Sequence, residues 1–162
     1  MNRESQSGFT LIEMMTVLAM ITVGIALFYS VFILNWQAFD HHITRSNLWQ
    51  EMDLIVDNLT LEGRLSRQIN VSVDSSAQTV TFVDAAGLTM AVYSMQNTGQ
   101  FLISKGVNVE TVSQHLDFTN SSFKKTDAGL GRGLVITLAL KDDVMGQAIN
   151  ITTSTEVYPR NY

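Results

Sequence analysis

Glu13 is the residue of this sequence whose surroundings most clearly suggest a chemical role. No Asp, Glu, Lys or Arg occurs in the 21 residues that follow it, residues 14–34. A carboxylate in a lipid-embedded helix costs on the order of 2.5–3.5 kcal/mol at the helix centre and less near its end. Ionisable residues in such segments usually mark function. Two interpretations of Glu13 therefore stand: contact with lipid headgroups without further consequence, or a functional site.

Other residues that could carry chemistry are few and scattered. The adjacent His41 and His42 point in two directions from a helix and make a poor metal site, and His115 lies apart from them in the segment VSQHLDF at 112–118. The chain has no cysteine, which excludes disulfides, zinc–thiolate sites and cysteine nucleophiles. Asp142 and Asp143 lack the alternating oxygen ligands of a calcium loop. We therefore predict no catalytic residues, no metal and no cofactor.

The composition bounds the possible partners. The formal net charge is −5, and phosphate binding needs a basic face, so nucleic acid is not an expected partner. The sequence also contains no glycine-rich phosphate loop and no nucleophile elbow. A structural or binding role is favoured over an enzymatic one.

The uncharged run at residues 14–34 is predicted to be a membrane-spanning helix. At about 1.5 Å per residue it spans roughly 30 Å, the thickness of a hydrocarbon core. Backbone amides in lipid must be satisfied within the segment, which requires a helix, and Trp36 suits the interface at the far end. A cleaved secretory signal is the alternative, but the run is long and the residues after it are bulky.

The segment SGFTLIE at positions 7–13 resembles the prepilin cleavage and methylation motif of type IV pilins and type II secretion pseudopilins. In that family a short polar leader ends in Gly, Phe follows, and Glu comes fifth in the mature chain before a long apolar helix. All four elements are present here. The resemblance covers about the first 35 residues well and beyond them concerns architecture only.

The resemblance implies a role for three residues. Gly8 would supply the cleavage position for a membrane-embedded prepilin peptidase, and Phe9 would become the new N-terminus and be N-methylated. Glu13 would accept the ammonium of Phe9 from a neighbouring subunit during assembly. Opposite charges attract strongly in low dielectric, and each is costly to bury alone. Cleavage would therefore create the second half of the ion pair.

The resemblance also implies partners and a location. The partners would be the prepilin peptidase and N-methyltransferase, other pilin or pseudopilin subunits, an inner-membrane assembly platform and membrane lipid. The N-terminus would be cytoplasmic, although the leader MNRESQSG is less basic than most and gives little orientation by itself. Ser30 stands where many major pilins have a helix-bending proline, which favours a minor subunit. The C-terminal half looks most like J-type pseudopilins and W-type minor pilins.

An amphipathic pattern extends the helix beyond the membrane. Apolar residues recur at intervals of three and four between charged ones, and no proline interrupts. We predict one helix from about Thr10 to Gln68, with Gly63 as its softest point. The apolar stripe predicted to pack on a sheet comprises Leu48, Met52, Ile55, Leu59, Leu65 and Ile69.

From about Asn70 the apolar period changes to two, which indicates short strands joined by turns. Six or seven antiparallel strands are predicted, with alternation of Met90, Val92 and Ser94 in one of them and a polar loop at 120–133. The fold class is therefore α+β and pilin-like: one long N-terminal helix, transmembrane and then amphipathic, packed on an antiparallel sheet domain.

The expected organisation is a cleaved leader (1–8), a transmembrane helix (9–36), its amphipathic continuation (37–69) and a periplasmic antiparallel β domain (70–162). Two hypotheses for function remain. One is a structural subunit, favoured as minor, of a type IV pilus or type II secretion pseudopilus. The other is a signal-anchored single-pass protein whose periplasmic domain binds a partner and does not polymerise.

Overall fold

The computed structural model describes residues 10–126 and 133–159. One α-helix, α1 (Leu11–Leu65), comes first and eight strands follow it in this described part of the chain. The strands are β1 (Gln68–Val73), β2 (Ala77–Val83), β3 (Thr89–Gln96), β4 (Phe101–Lys105), β5 (Asn108–Ser113), β6 (Ser122–Lys125), β7 (Leu134–Val144) and β8 (Gln147–Val157). This is the predicted α+β architecture of a long N-terminal helix and antiparallel sheets.

The long helix ends at Leu65, three residues earlier than predicted. Ser66 closes the last turn, with its N–H donating to Glu62 O at 2.9 Å and its hydroxyl donating to Gly63 O at 2.8 Å. The next N–H, that of Arg67, already bonds Val83 O in β2. Leu65 is therefore exposed rather than packed on the sheet. Ile69 is buried as predicted, but it belongs to strand β1 and not to the helix.

Two antiparallel sheets follow the helix. Strands β1 to β5 form a meander in chain order, and β6, β7 and β8 form a second, three-stranded sheet. The turns after β2, β3 and β4 contain Gly87, Gly99 and Gly106, all with φ between 64° and 88°, a conformation that favours glycine. The β7–β8 hairpin is the longest pairing, with 11 residues in each strand and no register shift.

The structure corrects the predicted strands in three places. Strand β5 was missed because its sequence NVETVS has little apolar alternation and most of it is exposed. Strand β6 lies within the predicted polar loop at 120–133, of which residues 127–132 lie outside the described part. In β3 the buried face is the opposite of the predicted alternation. It consists of Ala91, Tyr93 and Met95.

Contacts divide the chain into two compact units between Asp40 and His41. In the second unit a single hydrophobic core joins the helix to both sheets. The helix contributes Leu48, Met52, Ile55 and Leu59, each no more than 1% exposed. These are four of the six residues predicted for the stripe, and their burial confirms that this part of the helix packs on the β domain.

An aromatic row runs through this core and links the two sheets. Phe82, Tyr93, Phe101 and Phe123 follow one another with ring centroids 5.5, 6.3 and 6.5 Å apart. The first three come from the large sheet and Phe123 comes from β6 of the small one. Rings at these distances and tilts stabilise one another beyond their buried area.

Candidate functional site

Glu13 lies in the first turn of α1, where its carboxylate is fixed by Thr10. The helix begins at Leu11, so Thr10 is the N-cap and Glu13 is the third helical residue. The Thr10 backbone N–H and its hydroxyl both donate to Glu13 Oε2, each at 2.9 Å. In return the Glu13 N–H donates to Thr10 Oγ1 at 3.3 Å. This reciprocal arrangement is a capping box.

The capping box gives Glu13 a structural reason to be where it is. The first N–H groups of a helix have no intrahelical partner, and the positive end of the helix dipole favours a carboxylate. Both contacts from Thr10 go to Oε2, whereas Oε1 accepts no hydrogen bond from the residues that the structure describes. One carboxylate oxygen therefore remains available for a further donor. A Thr-x-x-Glu pattern ahead of an apolar run was readable from the sequence, but we had not predicted this contact.

The uncharged part of the helix after Glu13, residues 14–34, is suited to lipid. Its apolar side chains are exposed in the structure, among them Leu18, Ile25 and Phe32. The hydroxyls of Thr22 and Ser30 are satisfied within the helix, since they donate to Leu18 O at 2.7 Å and Ala26 O at 2.9 Å. By length and composition, α1 is the one described helix that could cross a membrane.

Gly8 and Phe9, the predicted cleavage and methylation positions, lie outside the described residues. The structure therefore places only the third predicted site residue, Glu13.

Asp143, one of the two aspartates considered above for calcium, takes part in a turn. Asp143 accepts a hydrogen bond from Gly146 N at 2.8 Å in the β7–β8 turn, where Met145 and Gly146 have φ of 54° and 79°. This pair of left-handed residues is typical of a two-residue hairpin turn. In the described ranges, no three His, Cys, Asp or Glu side chains are placed to hold a metal ion.

His115 joins three segments of the second unit, which the sequence did not reveal. Its Nδ1 lies 3.2 Å from Glu51 Oε2 on the helix, and its Nε2 lies 3.7 Å from Asp142 Oδ2 on β7. The His115 carbonyl also accepts a hydrogen bond from Lys141 N at 2.7 Å. Glu51 is 64 residues away in the chain, so no local pattern could have predicted the contact.

Comparison with protein families places the N-terminus in a known class. Residues 3–29 match the family model described as the prokaryotic N-terminal methylation motif. Comparisons with curated proteins and with solved structures gave no match. The matched segment contains Gly8, Phe9 and Glu13, together with the start of the apolar helix.

This match, with the fold, supports the type IV pilin and pseudopilin family. The motif indicates a pilin-like precursor that is processed by prepilin peptidase and assembles with other pilin subunits. The apolar helix and the motif together suggest membrane anchoring. The motif suggests a structural role for the chain.

Proposed function

We propose that this protein is a minor subunit of a type IV pilus or type II secretion pseudopilus, assembled through its N-terminal helix. The observation that carries the proposal is the position of Glu13, which lies in the first turn of an apolar helix and within the methylation motif. In this proposal Gly8 precedes the cleaved bond, and Phe9 becomes the N-methylated first residue of the mature chain.

Assembly in this proposal depends on neutralising the Glu13 carboxylate. Thr10 holds Oε2, and the Phe9 ammonium of a neighbouring subunit approaches Oε1. Ions of opposite charge attract far more strongly in low dielectric than in water, and removal of either one strands the other. The uncut precursor has no ammonium at this depth, so cleavage permits assembly.

The proposed topology follows from the same helix. Residues 1–8 form the cytoplasmic leader, residues 9–36 cross the inner membrane, and the rest of the helix with the β domain lies in the periplasm. Lipid surrounds the exposed apolar side chains until an assembly platform moves the subunit into the fibre. Ser30 supports the minor role, because many major pilins have a helix-bending proline at this position. Here the serine continues the helix, and its hydroxyl donates to Ala26 O in the preceding turn.

Sequencing the N-terminus of the mature protein tests processing. A chain that begins at methylated Phe9 supports the proposal. A chain that begins at Met1 contradicts it and favours the other hypothesis, an anchored periplasmic binding domain that does not polymerise.

A substitution tests the role of the carboxylate. Glu13→Leu is expected to insert into the membrane normally and to be lost from the sheared fibre fraction. The matched control is Thr22→Val, which removes a polar group from the same helix without removing a charge, and it is expected to assemble normally. Normal incorporation of Glu13→Leu would contradict the proposed ion pair.

A further inference from the structure

A second apolar stripe lies on the solvent side of α1 in the second unit. Leu54, Leu61 and Leu65 are 51%, 58% and 52% exposed, and Asn58 lies between them at spacings of four and three residues. We call these four residues the outer seam. At about 100° per residue they share one helix face, which is separate from the buried stripe that begins at Leu48. The outer seam carries no charge.

The surface beside the outer seam has the shape to receive a further element. Leu54 and Asn58 also line a groove of about 400 Å³ whose other lining residues come from strands β4 and β5: Ile103, Lys105, Asn108, Glu110, Thr111 and Val112. Singly exposed leucines are ordinary, but leucines grouped beside a groove mark an interaction surface.

The spacing of the outer seam specifies a helix as the occupant. Successive steps of four, three and four residues are those of coiled-coil core positions, with Leu54 and Leu61 at d and Asn58 and Leu65 at a. A single buried Asn at an a position favours one register and is a feature of parallel two-helix contacts. Asn58 has an amide group to share, since Nδ2 bonds Leu54 O at 2.8 Å and the amide has further donor and acceptor capacity.

The flanking charges favour a second copy of this chain as that helix. Asp57 precedes an a position and so takes position g, while Glu62 follows a d position and takes position e. In a parallel pair the g residue of one helix faces the e residue of the other. Two carboxylates would repel, but Glu62 already holds Lys105 Nζ at 2.7 Å. Lys105 is 49% exposed, so its ammonium can serve the incoming Asp57 as well.

We infer that the outer seam is a contact between two parallel copies of this chain, with Asn58 facing Asn58 and Asp57 facing the Glu62–Lys105 pair. The parallel orientation rests on the proposed function, because copies anchored in one membrane by the same end must run in the same direction. The outer seam covers only about one and a half heptads, and a helix pair of this length associates weakly in solution. Confinement to the membrane raises the effective concentration of the second copy.

Cysteine cross-linking tests the contact on a clean background, because the chain has no cysteine of its own. Leu61→Cys and, as a second seam position, Leu65→Cys are oxidised in the full chain in native membranes and separated on non-reducing gels. The matched control is Asp53→Cys, an exposed position on the same helix outside the seam. Both seam variants are expected to form disulfide-linked dimers at least about tenfold faster than the control, because only core positions face each other.

Charge reversal tests the choice of partner. In the Leu61→Cys background, Asp57→Lys is expected to slow dimer formation several-fold, whereas Asp53→Lys leaves the rate unchanged. Equal rates at Leu61→Cys and Asp53→Cys would overturn the inference, and so would seam cross-links that form only to a different protein. Equal effects of the two lysine substitutions would overturn the assigned charge contact.

The outcome is separable from that of the proposed function. The cross-linking is repeated with Glu13→Leu, which keeps the subunit in the membrane pool. Dimers that persist there show a contact independent of the fibre. A mature chain that begins at Phe9 but gives no seam-specific dimer would leave the pilin-like function standing and reject the outer seam.

Discussion

Gly63 of α1 lies directly against Val157 of β8, with no room for a side chain between them. A Cβ on Gly63 would overlap Val157 Cγ1 and would lie 3.4 Å from Phe82 Cε1. We had predicted this glycine to be the softest point of the helix. It is instead a point of close contact between the helix and the small sheet, and both Gly63 and Val157 are buried.

Gly63→Ala should therefore destabilise the second unit although alanine is the better helix former. The gain in helix propensity is about 1 kcal/mol, while overpacking a filled core costs typically about 1–3 kcal/mol. Denaturant unfolding of the detergent-solubilised chain, followed by tryptophan fluorescence, measures the difference. Adding Val157→Ala should recover part of the loss, because it removes the overlapping methyl groups. A Gly63→Ala variant more stable than the wild type would show that the helix can move away.

Gln78 links the two sheets, and its removal should loosen them. Its Oε1 accepts from Phe123 N at 3.0 Å, and its Nε2 donates to Ser121 O at 3.4 Å. The amide side chain thus acts as a short strand partner between β2 and β6. Gln78→Ala leaves a half-buried N–H unpaired and is expected to lower the free energy of unfolding by about 1–3 kcal/mol.

The matched control for Gln78 is Gln68→Ala. Gln68 is exposed, and among the described residues its amide bonds Asn70 Oδ1 at 2.9 Å. Its loss should therefore change the free energy of unfolding by less than about 0.5 kcal/mol. Hydrogen exchange of the Phe123 amide adds a local measurement. Unchanged protection of that amide in Gln78→Ala would show that the side chain does not hold β6.

How much of this molecule was predictable depends on the range of the interactions. The apolar run and the buried stripe of α1 are local patterns, so both were predicted. Strand β6 was not, because its exposed Lys124 and Lys125 resemble a loop and its identity as a strand depends on pairing with β7. The contact of His115 with Glu51 likewise depends on the folded chain.

The Tyr93 hydroxyl should contribute nothing to stability. Tyr93 is fully buried, and its hydroxyl has no hydrogen-bond partner among the described residues. Burial, with a smaller contribution from the Glu62 charge, raises the pKa of the Tyr93 phenol well above its usual range. Tyr93→Phe keeps the ring contacts with Phe82 and Phe101 and removes an unpaired polar group.

Tyr93→Phe is therefore expected to leave the free energy of unfolding unchanged or to raise it by about 1 kcal/mol. Tyr93→Leu is the comparison that removes the ring, and it should cost about 1–3 kcal/mol in the same denaturant assay. A loss of more than about 1 kcal/mol in the phenylalanine variant would indicate that the hydroxyl has a partner in solution.

Asp117 should make the second unit sensitive to acid. Its Oδ2 accepts from Asn120 Nδ2 at 2.9 Å and its Oδ1 lies 3.6 Å from Lys141 Nζ. The Asn120 hydrogen bond first, and then the Lys141 charge, lower the pKa of Asp117 below its ordinary value despite partial burial. A carboxyl whose pKa is lower in the folded state stabilises the folded chain at pH values above its unfolded pKa of about 3.9. This contribution is lost as the pH falls through the pKa of the folded state.

Unfolding measured from pH 7 to pH 2 checks the contribution of Asp117. Asp117→Asn should lower stability at neutral pH and flatten its decline below about pH 4, because the titrating group is gone. Asp74→Asn is the comparison, since the pKa of Asp74 is also lowered by hydrogen bonds, from Ser75 and Ser76, but at a fully exposed turn. If the loss of stability below about pH 4 were unchanged in Asp117→Asn, other carboxyl groups would be responsible for it.

Thr10 should matter for assembly through the carboxylate it holds. Thr10→Val preserves the shape of the side chain but removes the hydroxyl that donates to Glu13 Oε2 at 2.9 Å, and it also removes the N-cap, worth about 1 kcal/mol. Thr10→Ser restores both contacts and is the matched control. With the carboxylate of Glu13 then held only by the Thr10 backbone N–H, fibre incorporation of Thr10→Val is expected to fall several-fold while membrane insertion and the proposed cleavage after Gly8 continue. Equal incorporation of the valine and serine variants would show that the incoming ammonium orients the carboxylate without help from the capping box.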